Sequence, residues 1–193
     1  MSGPPDSPES VDFPEPAVVP LPLPQAFAFC PRCGTAREGE RGNPLRCRAC
    51  GYTHYFGPVA AVASVVFDAE GRVLFLTRAN DPHAGKLGLP GGFVDPGESA
   101  EEAARREARE EIGAELGGLT FLASRPNDYA YSGVLIKTVD VFFAARLADG
   151  QTVDANAAEV SQAEWLEPTD AVIARMAFES NKAAVRLAAD RVP

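Results

Sequence analysis

Residues 92–114 read GFVDPGESAEEAARREAREEIGA, and the rest of the fold is best predicted outward from this stretch. Its second half predicts a helix over about 99–112. Ser99 can cap the first turn, and Gly113 can adopt the left-handed conformation that ends a helix. The helix also carries an apolar stripe of small residues that can lie close to a sheet. That stripe consists of Ala100, Ala104, Ala108 and Ile112.

Three glutamates of this helix share one arc, because Glu107, Glu110 and Glu111 are spaced i, i+3, i+4. Two interpretations are open: a solvated acidic face, or carboxylates that converge on a hard cation such as Mg²⁺ or Mn²⁺. Composition alone favours the solvated face. The turn before the helix favours a metal-bound diphosphate instead, because it can present backbone groups beside a helix N-terminus. That turn contains Pro90, Gly91, Gly92, Pro96 and Gly97.

The stretch resembles the Nudix box, G-x5-E-x7-R-E-U-x-E-E-x-G-U, in which U is usually a bulky aliphatic residue. Every fixed position matches, and the lead-in Leu89-Pro90-Gly91-Gly92 is also typical. The departures are small side chains at the U positions Ala108 and Ala114, and Leu87 where the family often has Trp. The matching positions are Gly92, Glu98, Arg106, Glu107, Glu110, Glu111 and Gly113.

The resemblance implies a metal-dependent hydrolase that cleaves a diphosphate. Glu107, Glu110 and Glu111 would bind Mg²⁺ or Mn²⁺, and a carbonyl of Gly91 or Gly92 would add a ligand. The metal would stabilise charge on the phosphoryl oxygens and generate hydroxide from bound water.

The resemblance also implies that Glu98 and Arg106 pair and hold the geometry of the loop and helix. The general base is left open between a box glutamate and Glu159, which lies in a segment similar to the family's loop before its last helix. For Glu159, an ordinary loop carboxylate is the favoured interpretation.

Four cysteines form two CxxC pairs, which predict a structural Zn²⁺ site. Two such knuckles can direct four thiolates to one tetrahedral centre, and a closed site of this kind leaves no open position for catalysis. Gly34 and Gly51 directly follow the pairs and ease the turn that each knuckle needs. His54 is expected to be an ordinary surface side chain. The ligands would be Cys30, Cys33, Cys47 and Cys50.

The composition narrows the class of protein. The 193 residues carry a net charge of −9, which argues against nucleic acid as a partner because that binding depends on Lys and Arg. No apolar run approaches the length that spans a membrane, and the N-terminus does not resemble a secretory signal. We therefore expect a cytoplasmic protein, and the family resemblance implies a small nucleotide-conjugate substrate. The oligomeric state is open, a homodimer included.

Three regions are predicted: a disordered Pro-rich tail over 1–25, a zinc ribbon over 26–56, and a Nudix domain over 57–193. Strands are expected at 60–67, 72–78, 119–124, 134–147 and 163–166, with a final helix within 169–190. Their order predicts an α+β fold in which helices sandwich a mixed sheet, the Nudix fold that the resemblance also implies.

The segment 124–132 bears on the substrate. Zinc-ribbon NADH pyrophosphatases have an S-Q-P-W-P-F-P-x-S array at about this place, and this chain keeps only Ser124, Pro126 and Ser132 of it. Phe93, Tyr129 and Tyr131 could stack on a base, and packing within the protein explains each equally well. ADP-ribose, NADH and FAD remain open as substrates. The alternatives to hydrolysis are a non-catalytic nucleotide-sensing module and, against the charge, a zinc-ribbon nucleic-acid binder.

Overall fold

A computed structural model of the chain describes residues 19–39 and 41–190. Across them the chain forms nine strands and four helices. The strands are β1 (Leu21–Pro22), β2 (Leu45–Arg46), β3 (Thr53–His54), β4 (Val59–Phe67), β5 (Val73–Arg78), β6 (Leu87–Gly88), β7 (Thr120–Tyr131), β8 (Val134–Arg146) and β9 (Val160–Leu166). The helices are α1 (Leu23–Ala26), α2 (Ala100–Ile112), α3 (Asp170–Ile173) and α4 (Glu179–Ala189).

Seven of the strands form one mixed sheet, which confirms the predicted fold class. β8 pairs in parallel with β4 from Val59↔Thr138 to Phe67↔Arg146, and it pairs with β7 in antiparallel fashion on its other side. β5 meets β4 only at Phe67↔Val73 and then pairs with β6 and β9. β4 and β5 therefore splay apart beyond that point.

Helices cover both faces of the sheet. Side chains of β4 alternate between the faces, so Val65 packs in the cluster that contains Val185 of α4. Val66 packs in a different cluster with Ala108 and Ile112 of α2. The alanine stripe predicted from the sequence is thus the surface that lets α2 approach the sheet.

Two elements differ from the expected boundaries. β7 runs from Thr120 to Tyr131 instead of ending near residue 124. It tolerates Pro126 because, among the described strands, β7 pairs only with β8 and lies at the edge. The expected final helix is divided into α3 and α4. No helix in the described part of the chain is long and apolar enough to cross a membrane.

The predicted disordered tail, 1–25, lies outside the described residues as far as residue 18. Its last part is ordered, so the prediction is wrong there. β1 pairs in parallel with β8, and the Leu21 N–H donates to the carbonyl of Gly133 at 2.8 Å. Pro22 is compatible with this position because the strand is short and lies at the edge of the sheet.

Candidate active site

The loop before α2 lies along β4 in the gap that β5 leaves. The Val62 N–H donates to the Gly92 carbonyl at 2.9 Å, and the Ser64 N–H donates to the Pro90 carbonyl at 2.8 Å. A Cβ added at Gly91 would lie 2.2 Å from the Val62 carbonyl oxygen, so only glycine permits this approach. The backbone of the loop is therefore fixed against the sheet.

Both ends of α2 are set by local contacts. Ser99 Oγ accepts from the Glu102 N–H at 3.2 Å, and the Ser99 N–H donates to Glu102 Oε2 at 2.8 Å, which is a capping box. Gly113 has φ 61° and its N–H donates to the Arg109 carbonyl at 3.1 Å. The helix thus begins and ends where its sequence predicts.

Arg106 joins the loop to the acidic arc of α2. Its guanidinium donates to both oxygens of Glu98, through Nε at 2.8 Å and Nη2 at 3.0 Å, and to the Phe93 carbonyl at 2.9 Å. Nη1 donates to Glu107 at 2.8 Å and to Glu110 at 2.9 Å. The hydrogen bonds from Arg106 hold the pKa of Glu98 below its ordinary value. One cation therefore sets the positions of three carboxylates.

Glu111 and Glu107 reach the glycine loop from the other side. Glu111 Oε2 accepts from the Gly91 N–H at 2.8 Å. Burial raises the pKa of Glu111 to about 8, against the lowering effect of that hydrogen bond. Burial also raises the pKa of Glu107, against the hydrogen bond from Arg106. A Cβ added at Gly92 would lie 2.3 Å from Glu107 Oε1, so any larger residue at this position would clash with the carboxylate.

This donor set fits a hard divalent cation. The charge of Glu107 adds to the raised pKa of Glu111, and a bound cation would offset this repulsion. Carboxylate and backbone carbonyl oxygens are the ligands that Mg²⁺ accepts. Glu110 differs from the other two because its side chain is 52% exposed and Arg106 binds it. The structure thus brings Glu107 and Glu111 to the loop and leaves Glu110 at the rim.

Glu159 lies close enough to this pair for its negative charge to contribute to the raised pKa of both Glu107 and Glu111. Its own carbonyl accepts from the Ala79 N–H at 3.0 Å, which ties it to the end of β5. Arg78, the last residue of β5, acts in the opposite direction and lowers the pKa of Glu111. Arg78 could not be predicted from the sequence, because one arginine that ends an apolar strand carries no distinctive signal.

Aromatic side chains gather beside the loop. The rings of Phe93 and Tyr129 meet edge to face with centroids 5.4 Å apart, and Tyr129 stacks on Phe178 at 6.0 Å. Tyr131 lies 6.4 Å from Tyr129 and is 57% exposed. The guanidinium of Arg78 lies 5.5 Å from the centre of the Phe178 ring. The three aromatic residues considered from the sequence are thus brought together, and Phe178, which was missed, joins them to Arg78.

The four cysteines form one cluster in the module that contains β2 and β3. Their Sγ atoms all lie within 4.8 Å of one another, with Cys30 to Cys50 at 3.8 Å and Cys33 to Cys47 at 3.7 Å. Thiolates bound about 2.3 Å from a tetrahedral Zn²⁺ would lie about 3.8 Å apart, so the cluster fits that ion.

Each CxxC pair turns back on itself. The Gly34 N–H donates to the Cys30 carbonyl at 2.9 Å, and the Gly51 N–H donates to the Cys47 carbonyl at 3.0 Å. Both glycines have positive φ, 72° and 73°. His54 is not part of the cluster and instead packs against Tyr52 and Phe56.

Comparison with known proteins identifies the family of the chain. The model of the NUDIX domain family matches residues 57–187. The NAD-capped RNA hydrolase NudC of Stutzerimonas stutzeri is 34% identical over 140 residues, which are 71% of this chain and 47% of that protein. The chain thus spans about half the length of the curated relatives it matches.

Solved structures share the fold. A NUDIX hydrolase from Nitrosomonas europaea superposes with a TM-score of 0.62 at 24% identity, covering 85% of this chain and 91% of that one. The NUDIX domain of Shewanella oneidensis NrtR, complexed with ADP ribose, superposes with a TM-score of 0.58 at 25% identity, covering 71% and 90%. Because the family model matches most of the chain, this protein belongs to the NUDIX domain family.

Proposed function

We propose that this chain is a Mg²⁺-dependent pyrophosphohydrolase acting on a nucleoside diphosphate linked to a second moiety. The observation that carries the proposal is the pair of carboxylates, buried Glu107 and partly buried Glu111, held against the Gly91–Gly92 backbone. Such a pair is costly without a cation and suits one that also binds phosphate oxygens. Mn²⁺ has the same oxygen preference and could replace Mg²⁺.

Bound Mg²⁺ would neutralise the diphosphate and lower the pKa of a coordinated water. The residues of the chain supply the rest. Arg106 holds Glu98, Glu107 and Glu110 in fixed relative positions, and the Gly91 N–H orients Glu111. These contacts keep the ligand oxygens in place before substrate arrives.

We assign the general base to Glu159. The box carboxylates Glu107 and Glu111 are each held by a strong donor, whereas Glu159 is exposed and its oxygen has only a 3.3 Å contact from Asn156. A carboxylate oxygen of Glu159 would take a proton from a water molecule while the oxygen of that water bonds to one phosphorus. The bridging P–O bond breaks and the oxygen leaves with the other phosphate, so the products are two phosphate monoesters.

The aromatic cluster suits a substrate with a planar ring. Phe93, Tyr129 and Phe178 offer ring faces and edges beside the carboxylate pair, and Arg78 carries positive charge between the two. ADP-ribose, NADH and FAD all have an adenine on one side of a diphosphate. The NUDIX domain that was solved with ADP ribose supports the first of these.

A substrate panel tests the proposal. The purified chain is incubated with Mg²⁺ and ADP-ribose, NADH or FAD, and AMP release is measured by chromatography. We expect AMP from at least one conjugate and no release once Mg²⁺ is withheld. The absence of AMP with every conjugate, in Mg²⁺ and in Mn²⁺, would contradict the proposal. Tight ADP-ribose binding without AMP would instead identify a nucleotide-sensing module.

NAD-capped RNA is a second candidate substrate, because a relative 34% identical is named as its hydrolase. The chain's net charge of −9 leads us to expect that the RNA body adds nothing to recognition. Equal kcat/KM for NAD-capped RNA and free NAD, with little dependence on salt, would agree with that expectation. A cytoplasmic location, where both the nucleotides and reduced thiols occur, remains part of the proposal.

A further inference from the structure

One buried carboxylate, on β8, is not used by the proposed chemistry. Asp140 of β8 is 6% exposed. Its Oδ1 accepts from Thr138 Oγ1 at 2.6 Å, and its Oδ2 accepts from Ser180 Oγ at 2.7 Å. Thr138 and Ser180 are buried as well. Asp140 forms no ion pair with any side chain among residues 19–39 and 41–190, so neutral hydroxyls are its hydrogen-bond donors.

The hydrogen bond between Ser180 and Asp140 also fixes the beginning of α4. Phe178 is the N-cap residue of this helix and makes no capping hydrogen bond, although Ser, Thr, Asp or Asn normally occupies such a position. Ser180 lies in the first turn and donates through its hydroxyl to Asp140 of β8. The carboxylate also places negative charge near the positive end of the helix dipole. The first turn of α4 is thus tied to β8 through the Ser180 side chain, while the Phe178 position makes no side-chain cap.

The side chain of Phe178 takes no part in capping α4 and instead contacts the aromatic cluster. Its ring stacks on Tyr129 at 6.0 Å, meets His83 edge to face at 5.2 Å, and lies under Arg78 at 5.5 Å. Arg78 in turn acts on the charge of Glu111. Phe178 therefore connects the aromatic cluster with the carboxylate site, and its place depends on where α4 begins.

We propose that Asp140 is a positioning residue that, through Ser180, fixes Phe178 as a wall of the substrate pocket and thereby sets the affinity for the aromatic end of the substrate. The inference rests on the proposed function for its substrate. It predicts that loss of the Asp140–Ser180 hydrogen bond affects substrate binding and not the chemical step, because neither residue is among those assigned to the metal or the water.

Four variants test this inference: Ser180→Ala, Asp140→Asn, Phe178→Leu and the double variant Ser180→Ala/Phe178→Leu. Glu179→Gln is the matched control, since it changes the same helical turn at an exposed side chain that forms an ion pair with Lys182 and no other within the described part of the chain. KM and kcat are measured for the best substrate of the panel. Hydrogen exchange of the backbone over residues 178–182 is followed without substrate.

We expect each single variant to raise KM at least fivefold with kcat within twofold of the original. The double variant should be no more than twofold worse than its poorer parent, because both changes remove the same wall. Exchange should be faster in Ser180→Ala and Asp140→Asn and unchanged in Glu179→Gln. If Asp140→Asn fails to fold, Ser180→Ala alone decides.

The inference would be overturned if the effects of Ser180→Ala and Phe178→Leu on KM multiplied in the double variant. A loss of kcat as large as the rise in KM would also overturn it, as would unchanged hydrogen exchange over 178–182 in Ser180→Ala and Asp140→Asn. If the original chain hydrolyses nothing, the same comparison is made with the dissociation constant of ADP-ribose measured by calorimetry. If the double variant then lost no more ADP-ribose affinity than its poorer parent, the positioning role of Asp140 would be supported although the proposed hydrolysis had failed. Absence of both hydrolysis and binding would overturn both proposals.

Discussion

Glu111 combines partial burial, a hydrogen bond from a backbone N–H and a second carboxylate nearby. The Gly91 N–H offers one hydrogen bond at 2.8 Å, which offsets only part of the cost of an ionised group without water. A carboxylate in this environment is stabilised by a cation or a proton. We therefore expect the protonation of this residue to be coupled both to stability and to the proposed metal binding.

Replacement of this carboxylate should affect the reaction far more than the fold. We expect Glu111→Gln to lower kcat at least 100-fold, because it removes an anionic ligand oxygen and keeps the shape of the side chain. Glu101→Gln, an exposed site in the first turn of the same helix, is the control and should stay within twofold. Steady-state kinetics on the panel substrate measure both. Full activity in Glu111→Gln would refute the role assigned to Glu111.

The raised pKa of Glu111 also predicts how stability depends on pH in buffer without Mg²⁺. In the unfolded chain its pKa is near 4.5, and in the folded chain about 8, so the folded state retains the proton over that interval. The contribution of Glu111 to stability is complete below pH 4.5 and is lost as the pH rises through about 8.

Urea unfolding at pH 5 and pH 8 measures this dependence. The Glu111→Gln variant has no ionisable group at this position. From pH 5 to pH 8, its free energy of unfolding should therefore rise relative to that of the original chain by at least about 1 kcal/mol. Mg²⁺ should reduce the difference, since it stabilises the ionised form. A constant difference between the two proteins at both pH values would show that Glu111 is not desolvated.

At the scale of elements, α2 and its loop act as one unit. The ends of α2 depend on neighbours in the chain, Ser99 with Glu102 and Gly113 with the preceding turn, so the sequence predicts them well. The loop is different, because its conformation depends on hydrogen bonds to β4, which lies about 30 residues earlier. A motif indicates that such a loop exists, and the paired strand gives it its shape.

The close approach of loop and helix gives a direct test. A methyl group at Gly92 would lie 2.3 Å from Glu107 Oε1, so Gly92→Ala should displace that carboxylate and lower kcat/KM at least tenfold. Gly88→Ala is the control, because its methyl group would meet Arg78 and Leu76 at ordinary distances of 3.7 and 3.8 Å. Kinetics and Mg²⁺ titration measure both variants. Equal effects in the two would contradict the close contact.

The residues missed from the sequence are those brought together by long-range pairing. Arg78, Asp140 and Phe178 stand on three different elements, and each alone resembles an ordinary strand or loop residue. The early end predicted for β7 has a similar cause, since Pro126 normally argues against a strand and only the edge position permits it. Local sequence patterns predict helices and CxxC knuckles. The assembly of a pocket depends on how distant strands pair in the sheet, which local patterns do not give.

At the scale of the whole molecule, the cysteine cluster and the carboxylate site are built from separate parts of the chain. None of the four cysteines contributes to the carboxylate site. We expect Cys47→Ser to reduce bound zinc from about one per chain to none and to lower the unfolding temperature of the cysteine module. The hydrolysis rate should stay within about threefold, because zinc would serve structure alone.

Elemental analysis, calorimetry and kinetics on the same preparations test this expectation. Arg48→Ala lies within the second CxxC pair, is not a ligand, and should keep its zinc. Loss of hydrolysis by Cys47→Ser with an intact melting transition for the remaining domain would show that the cysteine module takes part in substrate binding or catalysis.

The parallel pairing of β4 with β8 also has a consequence for how the protein is made. Val59 pairs with Thr138, so the intervening segment, which includes the whole box, must be looped out before this pairing can close. Such distant contacts form late and slowly compared with a helix. The box loop takes its shape from β4, and β8 is the long neighbour of β4. A nascent chain that has left the ribosome as far as Ala114 therefore contains every residue of the box but not the assembled carboxylate site.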